Sequence, residues 1–454
     1  MFLLKQLIGA GFTVTDTAGV STTNLIFNVD ASSTSSYDST QSPQPTTWTD
    51  LSGSGNDLDL TGTAGPPLYE DTSGIESLEF AGAQHEHGIF TGSPENIPDI
   101  GGNEVTFNVW WEEESATQSS IIYLNSSTTS TNGEYRQLNV HLGWSNTVYF
   151  DCGADSTYDR TSKSTSGVTM TNWHMWTFTK NASTGSMKIY LDGAEWHSDT
   201  GKTKAITTPV VGSIGRRVVG SNTSYQVDGR VGEIQLYDAE LSAATILSNY
   251  NATKSKYTDY SQYITGTATT PDSASNSVTG NLDIRMKISF ADWTPASGNN
   301  VIARKRVASG YQKSWYLYLL TGTTTRLRAQ ISDDGSSEEY PFLTLDGSGL
   351  ADSTVKWLRW VIEANGSTQI LRVYEYQDAN NDPNGSWIEV ANSSHTKTSI
   401  YDSTSDVVIG ENCNMYYFEM RDGIDGNIVA QFNASDVDGS SAPNVSGETA
   451  WTIS

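Results

Sequence analysis

Alternating apolar and polar positions predict β-strands along most of the chain. Clear examples are residues 105–109, 187–191 and 283–290, which are separated by segments rich in Gly, Asn, Asp and Ser. The clearest helical pattern is residues 241–250, with Ser242 as its N-cap. Many short strands, frequent Asx-Gly turn pairs and little helix predict an all-β fold made of β-sandwiches.

The pattern repeats in the two halves of the chain. Residues 173–176 and 357–360 each begin and end with tryptophan, and in both halves a tyrosine follows 14 residues later, as Tyr190 and Tyr374. We therefore expect two copies of one β-domain in tandem. Chance similarity between two Trp-rich strands is the alternative.

A polar segment after the predicted helix is the best candidate for a domain boundary. We predict an N-terminal arm at residues 1–20, a sandwich at 21–256, a linker at 257–272 and a second sandwich at 273–454. The arm is apolar, but its single lysine and interrupted apolar core form only a weak signal-peptide pattern. We predict instead that it packs on its own domain or on a neighbouring subunit.

Composition and charge narrow the classes of function. The chain has 26 Lys and Arg against 52 Asp and Glu, a formal charge of −26. So acidic a chain repels a phosphate backbone, and we predict no nucleic-acid binding. No apolar run reaches the roughly 18–20 residues of a membrane span. Cys152 and Cys413 have neither disulfide-framework nor zinc-site spacing, and we predict buried small residues, with a surface thiol as the alternative.

Several motifs of the first half occur together in one order. They are residues 24–31 (NLIFNVDA), 48–57 (WTDLSGSGND), 105–111 (VTFNVWW), 189–193 (IYLDG) and 229–242 (GRVGEIQLYDAELS). In this order they resemble concanavalin A-like (laminin-G-like) domains, over about residues 21–256. The resemblance implies a jelly-roll sandwich of two antiparallel sheets.

The second half carries further motifs at residues 416–427, 429–436 and 447–451. These are similar to laminin-G-like modules that are often found in bacteriophage virion proteins. The similarity implies a tail fibre, a head fibre or a capsid decoration on the virion surface.

Such a role implies three kinds of partner. The arm at residues 1–20 would bind other virion proteins, and the chain would form a homo-oligomer, with a trimer as the customary fibre symmetry. Host surface glycans would be its external partners, bound through many weak sites at once. A secreted or cell-surface bacterial lectin or adhesin is the alternative.

The acidic residues do not form the pattern of a glycoside hydrolase. Hydrolases of this fold place carboxyls on one strand as Glu-x-Asp-x-x-Glu, and the sequence lacks this motif. We predict that residues 112–114 form a solvated strand edge, while Glu233 and Asp238 have the wrong spacing. We therefore predict that the protein is not an enzyme, and a polysaccharide depolymerase is the least favoured alternative.

Two short patterns are candidate metal sites. His85 and His87 face the same side of a predicted strand, but no third ligand is near them in the sequence. Asp378, Asn380 and Asp382 imitate a calcium loop, although proline stands where that loop needs glycine. A subunit-interface histidine pair and a polar hairpin tip are the alternatives. No cofactor is firmly implied, and calcium is the ion to consider.

Sugar binding needs exposed aromatic rings beside polar groups, because aromatic faces stack on pyranose rings. Five aromatic residues in or near predicted loops are the candidates for carbohydrate binding: Trp144, Tyr158, Trp196, Tyr225 and Trp387. A partly buried structural role is the alternative for each of them.

Overall fold

A computed structural model describes most of the chain. The described residues are 20–61, 65–72, 74–82, 86–90, 96–116, 118–129, 135–154, 157–217, 225–307, 310–346, 349–364, 369–376, 387–437, 439–445 and 447–454. The predicted arm at residues 1–20 therefore lies, except for its last residue, outside the described residues. The chain divides into two compact units, Met1–Thr258 and Asp259–Ser454.

The first unit contains mainly short strands. Within its described residues they are β1 (Leu25–Asp30), β2 (Thr47–Trp48), β3 (Leu58–Asp59), β4 (Leu68–Thr72), β5 (Ile75–Phe80), β6 (Gly88–Phe90), β7 (Glu104–Glu113), β8 (Ile122–Asn125), β9 (Arg136–His141), β10 (Thr147–Ala154), β11 (Tyr158–Ser164), β12 (His174–Asn181), β13 (Ser186–Leu191), β14 (Ala194–Asp199), β15 (Val211–Ile214) and β16 (Gly229–Tyr237).

These strands form two eight-stranded sheets. Sheet 1 has the order β14-β13-β12-β7-β16-β5-β4, with β1 also paired to β16, and sheet 2 has the order β11-β10-β9-β8-β15-β6-β3-β2. Large apolar side chains from both sheets are buried in one core, among them Phe107 and Trp176 from sheet 1 and Leu138 and Phe150 from sheet 2. Burial of this apolar surface holds the two sheets together.

Strand β7 shows why two consecutive tryptophans suit this sandwich. Successive side chains of a strand point to opposite faces, so Trp111 enters the core while Trp110 belongs to a second apolar cluster on the other face. That other face of sheet 1 is covered by helix α1 (Ala243–Thr253). Tyr250 of the helix stacks on Trp110 with ring centroids 5.8 Å apart.

Helix α1 has the N-cap that the sequence predicts. The Ser242 hydroxyl accepts a hydrogen bond from the backbone N–H of Thr245 at 3.1 Å. The helix lies so close to the turn after β13 that a Cβ on Gly193 (φ +81°) would come within 3.0 Å of Leu247. A 3-10 turn, Lys254–Tyr257, follows the helix. Among the described residues, no helix has the length and apolar character needed to cross a bilayer.

The second unit is also built of strands. Within its described residues they are β17 (Ala268–Thr270), β18 (Leu282–Ser289), β19 (Asn300–Arg306), β20 (Lys313–Leu319), β21 (Thr325–Ser332), β22 (Glu338–Glu339), β23 (Phe342–Asp346), β24 (Val355–Glu363), β25 (Ile370–Tyr376), β26 (Trp387–Ser394), β27 (Val407–Ile409), β28 (Asn414–Asp422), β29 (Asn427–Asn433), β30 (Ser441–Ala442) and β31 (Trp451–Ile453), with a 3-10 turn at Ala434–Asp436.

The second unit is again a two-sheet sandwich. Sheet 3 has nine strands in the order β22-β21-β20-β19-β27-β17-β31-β30, with β23 beside β21, and sheet 4 has the order β26-β25-β24-β18-β28-β29. Trp293, Trp315, Trp360 and Trp451 are fully buried in the core of this unit. Strand β17, which falls inside the predicted linker 257–272, pairs with both β27 and β31.

The two units share one strand order. The series β14-β13-β12-β7-β16 of sheet 1 corresponds to β26-β25-β24-β18-β28 of sheet 4. The series β10-β9-β8-β15-β6 of sheet 2 corresponds to β21-β20-β19-β27-β17 of sheet 3. The predicted fold class, two tandem jelly-roll sandwiches, is thereby confirmed.

Each unit holds one buried cysteine. Cys152 lies on β10 and Cys413 just before β28, and both are free thiols. Burial raises the pKa of Cys152 to about 12 and also raises the pKa of Cys413. Both thiols therefore stay protonated and unreactive at neutral pH.

Candidate functional site

The outer face of sheet 2 carries a row of polar side chains. Alternate residues of β9 and β10, such as Leu138 and Phe150, belong to the core. The residues between them point the other way, and the strand register places Asn139 opposite Asp151 and His141 opposite Tyr149. Four polar or amphipathic side chains therefore lie side by side on the face away from the core.

Asp151 is the centre of this face, and two arginines hold it. Its carboxylate is inaccessible to solvent and accepts hydrogen bonds from Arg160 Nε at 2.5 Å and Arg160 Nη2 at 2.8 Å. Arg136 Nη1 also donates to the same carboxylate. Two guanidinium groups around one carboxylate leave a local positive charge. The Nε of Arg136 is buried without a hydrogen-bond partner among the described residues.

His141 is a neutral hydrogen-bonding group on this face. Burial lowers the pKa of His141 to about 4, so its imidazole is uncharged at neutral pH. Its Nδ1 donates to the carbonyl of Ser119, and its Nε2 accepts from the Asn139 amide at 3.2 Å. The Asn139 Oδ1 is buried and lacks a partner among the described residues. An unsatisfied buried acceptor costs about 1–3 kcal/mol of stability.

Partly exposed aromatic rings form the rim of the face. Trp144 stands edge-on to His141 at 4.6 Å and stacks on Tyr225 at 5.0 Å with an interplanar angle of 27°. Tyr149 completes the group at 6.4 Å from Trp144. The three rim residues are intermediate between buried and exposed, so each leaves part of its side chain at the surface.

The hairpin between β9 and β10 places Trp144. The carbonyl of Trp144 accepts from the N–H of Thr147 at 3.1 Å. The two central residues, Ser145 and Asn146, have φ of +54° and +58°, the type I′ geometry of tight hairpins. Before the turn, Gly143 has φ +75°, a conformation that favours glycine, and a Cβ there would displace the Glu113 carboxylate, whose Oε1 would lie 1.7 Å away.

Arginines also pack against the aromatic rings. Arg136 and Arg160 lie over the ring of Tyr158 at 4.6 and 5.1 Å, and Arg160 lies over Tyr149 at 4.8 Å. Arg217 lies 5.6 Å from the ring of Tyr225. These cation–π contacts hold the rim and the charged centre in one arrangement. We refer to Asn139, His141, Trp144, Tyr149, Asp151, Tyr158, Arg136, Arg160, Arg217 and Tyr225 together as the sheet 2 face.

The structure brings together three of the five aromatic residues predicted for sugar binding. Trp144, Tyr158 and Tyr225 all belong to the sheet 2 face. Trp196 lies instead on β14 of sheet 1, edge-on to the buried Trp176 at 5.3 Å. Trp387 lies in the second unit on β26 and packs against an aromatic cluster, which contains Tyr260, Trp357 and Tyr417.

Sequence reasoning missed the polar centre of the face. Arg136, Asn139, Asp151 and Arg160 were not predicted as site residues. Their signal is present: β9 and β10 alternate apolar core residues with polar ones, and two of those polar residues are an aspartate and a histidine. A polar alternation of this kind is also typical of ordinary solvated strands, so it becomes specific only once the register is known.

The structure corrects in part the expectation that residues 112–114 form a solvated strand edge. Glu114 is exposed and Glu112 partly so, but Glu113 is buried, and Arg230 binds Glu112 at 2.9 Å and Glu114 at 2.6 Å. The reason is the pairing of β7 with β16, which sets Arg230 opposite Glu112. Glu233 is buried too, with Lys256 at 3.8 Å.

The predicted metal sites stay predictions. His87 is buried just before β6, while His85, Asp378, Asn380 and Asp382 lie outside the described residues. In the part of the chain that the structure describes, no cluster of three or more His, Cys, Asp or Glu side chains could hold a metal ion.

The fold and the face together define a lectin-like jelly roll. A family model for laminin-G domains, described as the concanavalin A-like lectin/glucanases superfamily, matches residues 90–247. The match confirms the predicted resemblance for this part of the first unit, which contains the whole sheet 2 face. It covers about a third of the chain, and the second unit lies outside it.

Solved structures with a similar fold are remote in sequence. The binding domain of Paraclostridial Mosquitocidal Protein 1 is 11% identical, with 85% of this chain and 92% of that chain covered and a TM-score of 0.37. The binding domain of botulinum neurotoxin DC, in complex with rat synaptotagmin II, is 10% identical, with 95% and 94% covered and a TM-score of 0.39.

A Trypanosoma rangeli sialidase is 13% identical with a TM-score of 0.36, and the match covers 52% of this chain and 33% of the sialidase chain. The match thus spans only a third of that enzyme. Likenesses at these scores carry no functional inference. No curated protein matches the chain.

Proposed function

We propose that the protein is a glycan-binding protein and that the sheet 2 face is its sugar site. The observation that carries the proposal is the stacked, half-exposed pair Trp144 and Tyr225 beside a buried polar centre. Aromatic faces bind the C–H side of pyranose rings, while fixed polar groups select the hydroxyls. The face combines both kinds of group on two rigid strands.

Each part of the face has a distinct task in this proposal. Trp144 and Tyr149 offer ring surface to a sugar. Arg160, whose side chain is 40% exposed, offers N–H donors at the edge of the ion pair with Asp151. Asn139 lies fully buried beneath them and donates to His141 Nε2 at 3.2 Å, which holds the imidazole in place. Because the backbone and the ion pairs fix these groups, little conformational entropy is lost on binding.

We further propose that the protein acts without catalysis. A glycosidase needs two carboxyls with different protonation states beside the substrate. Asp151 is engaged by two arginines, and Glu112 by Arg230. Neither carboxylate is placed to exchange a proton with a bound sugar.

The proposed setting is the surface of a bacteriophage particle. Its support is the resemblance of the second half to laminin-G-like virion modules. In that setting the arm at residues 1–20 would attach the chain to other virion proteins, and an oligomer, with a trimer favoured, would present several weak glycan sites together. Fully loaded particles recovered after deletion of residues 1–20 would contradict the attachment. A secreted lectin would use the same face without any particle.

A glycan array tests the sugar site. The full chain should bind a defined set of glycans, and Trp144→Ala should weaken that binding about tenfold. Trp196→Ala is the matched control, since it removes a tryptophan of the same unit from the other sheet and should leave binding unchanged. Equal loss in both variants, or no bound glycan, would overturn the proposal.

A further inference from the structure

We propose that the second unit has its own binding site, a cavity on the outer face of sheet 3 that takes an anionic saccharide. Sheet 3 corresponds in strand order to sheet 2, so the cavity occupies the position that the sheet 2 face occupies in the first unit. The cavity has a volume of about 490 Å³. Sites for small ligands typically enclose about 300–1,000 Å³.

Strand alternation sets the lining of this cavity. On β20, Trp315, Leu317 and Leu319 belong to the core, so the intervening Tyr316 points outward. The register places Tyr316 between Arg304 of β19 and Gln330 of β21. All three residues line the cavity, together with Arg306 and Tyr340.

Basic groups outnumber acidic ones around the cavity. Glu338 binds both Arg306, at 2.7 Å, and Lys313, at 3.0 Å. Arg304 binds Glu411 at 2.9 Å. Three cations thus face two carboxylates, and the guanidinium groups are fixed in place by these contacts.

Strand β21 adds further positive charge. Arg328 lies two residues before Gln330 and therefore on the same face of the sheet. The Gln330 amide donates a hydrogen bond to the Tyr318 hydroxyl at 3.1 Å. Neither Arg328 nor Arg326 has an ion pair within the described part of the chain. The Nε of each is buried and lacks a hydrogen-bond partner there.

Exposed aromatic side chains border the same face. Tyr340 and Phe342 are each 50% exposed, and Arg328 lies 5.9 Å from the ring of Phe342. Exposed rings beside a cavity can supply apolar contact area to a ligand that binds there. Aromatic rings can contact a sugar ring, and guanidinium groups can donate two hydrogen bonds to a carboxylate or sulfate. Together they suit a saccharide that carries carboxylate or sulfate groups.

The excess of basic side chains around the cavity contrasts with the negative charge of the whole chain. A chain with a formal charge of −26 repels anions at long range. We therefore expect an anionic ligand to bind where arginines are concentrated and held in place. The cavity meets that condition, and its guanidinium groups offer bidentate hydrogen bonds to an oxyanion.

Binding of three polymers to the full chain tests the site. Polygalacturonate supplies carboxylates, dextran sulfate supplies sulfates, and dextran is the neutral reference. We expect at least one of the two anionic polymers to bind more tightly than dextran, and the stronger one identifies the anion. Absence of any preference over dextran would overturn the proposal.

A matched pair of double variants localises the binding. Arg304→Gln with Arg328→Gln should weaken binding of the anionic polymer at least tenfold. Lys356→Gln with Arg372→Gln removes the same charge from sheet 4 and should change it less than twofold. Equal losses would show a diffuse charge effect and overturn the site. Thermal unfolding of both variants checks that they fold.

Two further measurements distinguish this site from a general anion site and from the sheet 2 face. Galacturonic acid or galactose 6-sulfate should displace the polymer better than inorganic phosphate does, and equal displacement would overturn the assignment of a saccharide. Trp144→Ala should leave binding of the anionic polymer unchanged. Failure at the cavity is therefore distinguishable from failure at the sheet 2 face.

Discussion

The sheet 2 face and the sheet 3 cavity occupy equivalent strands of two similar sandwiches, yet they are built differently. In the first unit a buried carboxylate, Asp151, gathers two arginines, and aromatic rings close around them. In the second unit the carboxylates Glu338 and Glu411 lie at the side of an open cavity. We infer from this comparison that the strand order supplies a face, whereas the outward residues of that face would decide which ligand it binds.

The difference between the two faces is first a difference in burial. Asp151 is fully buried, while the side chain of Glu411 is 37% exposed. Charges removed from water are costly unless they are paired, and exposed pairs contribute little. We therefore expect the ion pairs of Asp151 to contribute more to stability than the exposed pair of Arg304 with Glu411. The pair of Arg306 with Glu338, whose side chain is 5% exposed, belongs with the buried pairs.

The largest expected effect comes from Asp151→Asn. It leaves Arg136 without its carboxylate partner in a buried position, and we expect the free energy of unfolding to fall by about 3–5 kcal/mol. Glu411→Gln, the counterpart in the second unit, should change it by less than about 1 kcal/mol. Urea unfolding of both variants measures this. Similar losses would show that the two faces do not differ as we infer.

The next effect is a pH dependence of the first unit. Burial lowers the pKa of His141 to about 4 from its ordinary 6.5. As the pH falls, His141 is therefore protonated in the unfolded chain before it is protonated in the folded one. The stability due to neutral His141 is complete above pH 6.5 and is lost as the pH falls through about 4. His141→Gln should reduce the destabilisation between pH 7 and 4 by up to about 3 kcal/mol.

Urea unfolding at several pH values, in wild type and His141→Gln, measures the difference in slope. Acidic groups elsewhere in the chain titrate in both proteins, so they cancel in this comparison. Parallel curves for the two proteins would mean that His141 is not buried in its neutral form.

The smallest expected effect is a difference between the two faces in how ligand binding depends on salt concentration. Raising NaCl from about 50 to about 500 mM shortens the range of electrostatic attraction. Binding of an anionic polymer at the sheet 3 cavity should weaken about tenfold. Binding of a neutral glycan at the sheet 2 face should change less than about twofold. Titration calorimetry across the salt series measures both, and equal salt dependence would remove the proposed contrast.

The sequence predicts the fold well because the fold rests on local patterns. Alternation identifies β7, β13 and β18, and Ser242 marks the start of helix α1. The repeated tryptophans identify the tandem arrangement, since Trp176 and Trp360 each lie in the core of their own unit. These signals depend on near neighbours in the chain.

The sequence predicts the candidate sites less well because they depend on register. Trp144 and Trp196 both lie beside turn residues in the sequence, and only the fold shows that Trp196 packs on Trp176. Asp151 of β10 forms an ion pair with Arg136 of the neighbouring strand β9. Residues 268–270, predicted as linker, become a strand because distant residues pair with Ala268, namely Ile409 and Ile453. Such pairings are not visible in local sequence.

The two buried cysteines make the protein convenient for chemical labelling. Thiol-directed reagents attack the thiolate, and the buried Cys152 and Cys413 are both protonated and shielded. A cysteine introduced at the exposed Ser145, beside Trp144, would therefore be the one thiol that reacts in the folded chain. A fluorophore attached there would report ligand arrival at the sheet 2 face without any need to remove the native cysteines.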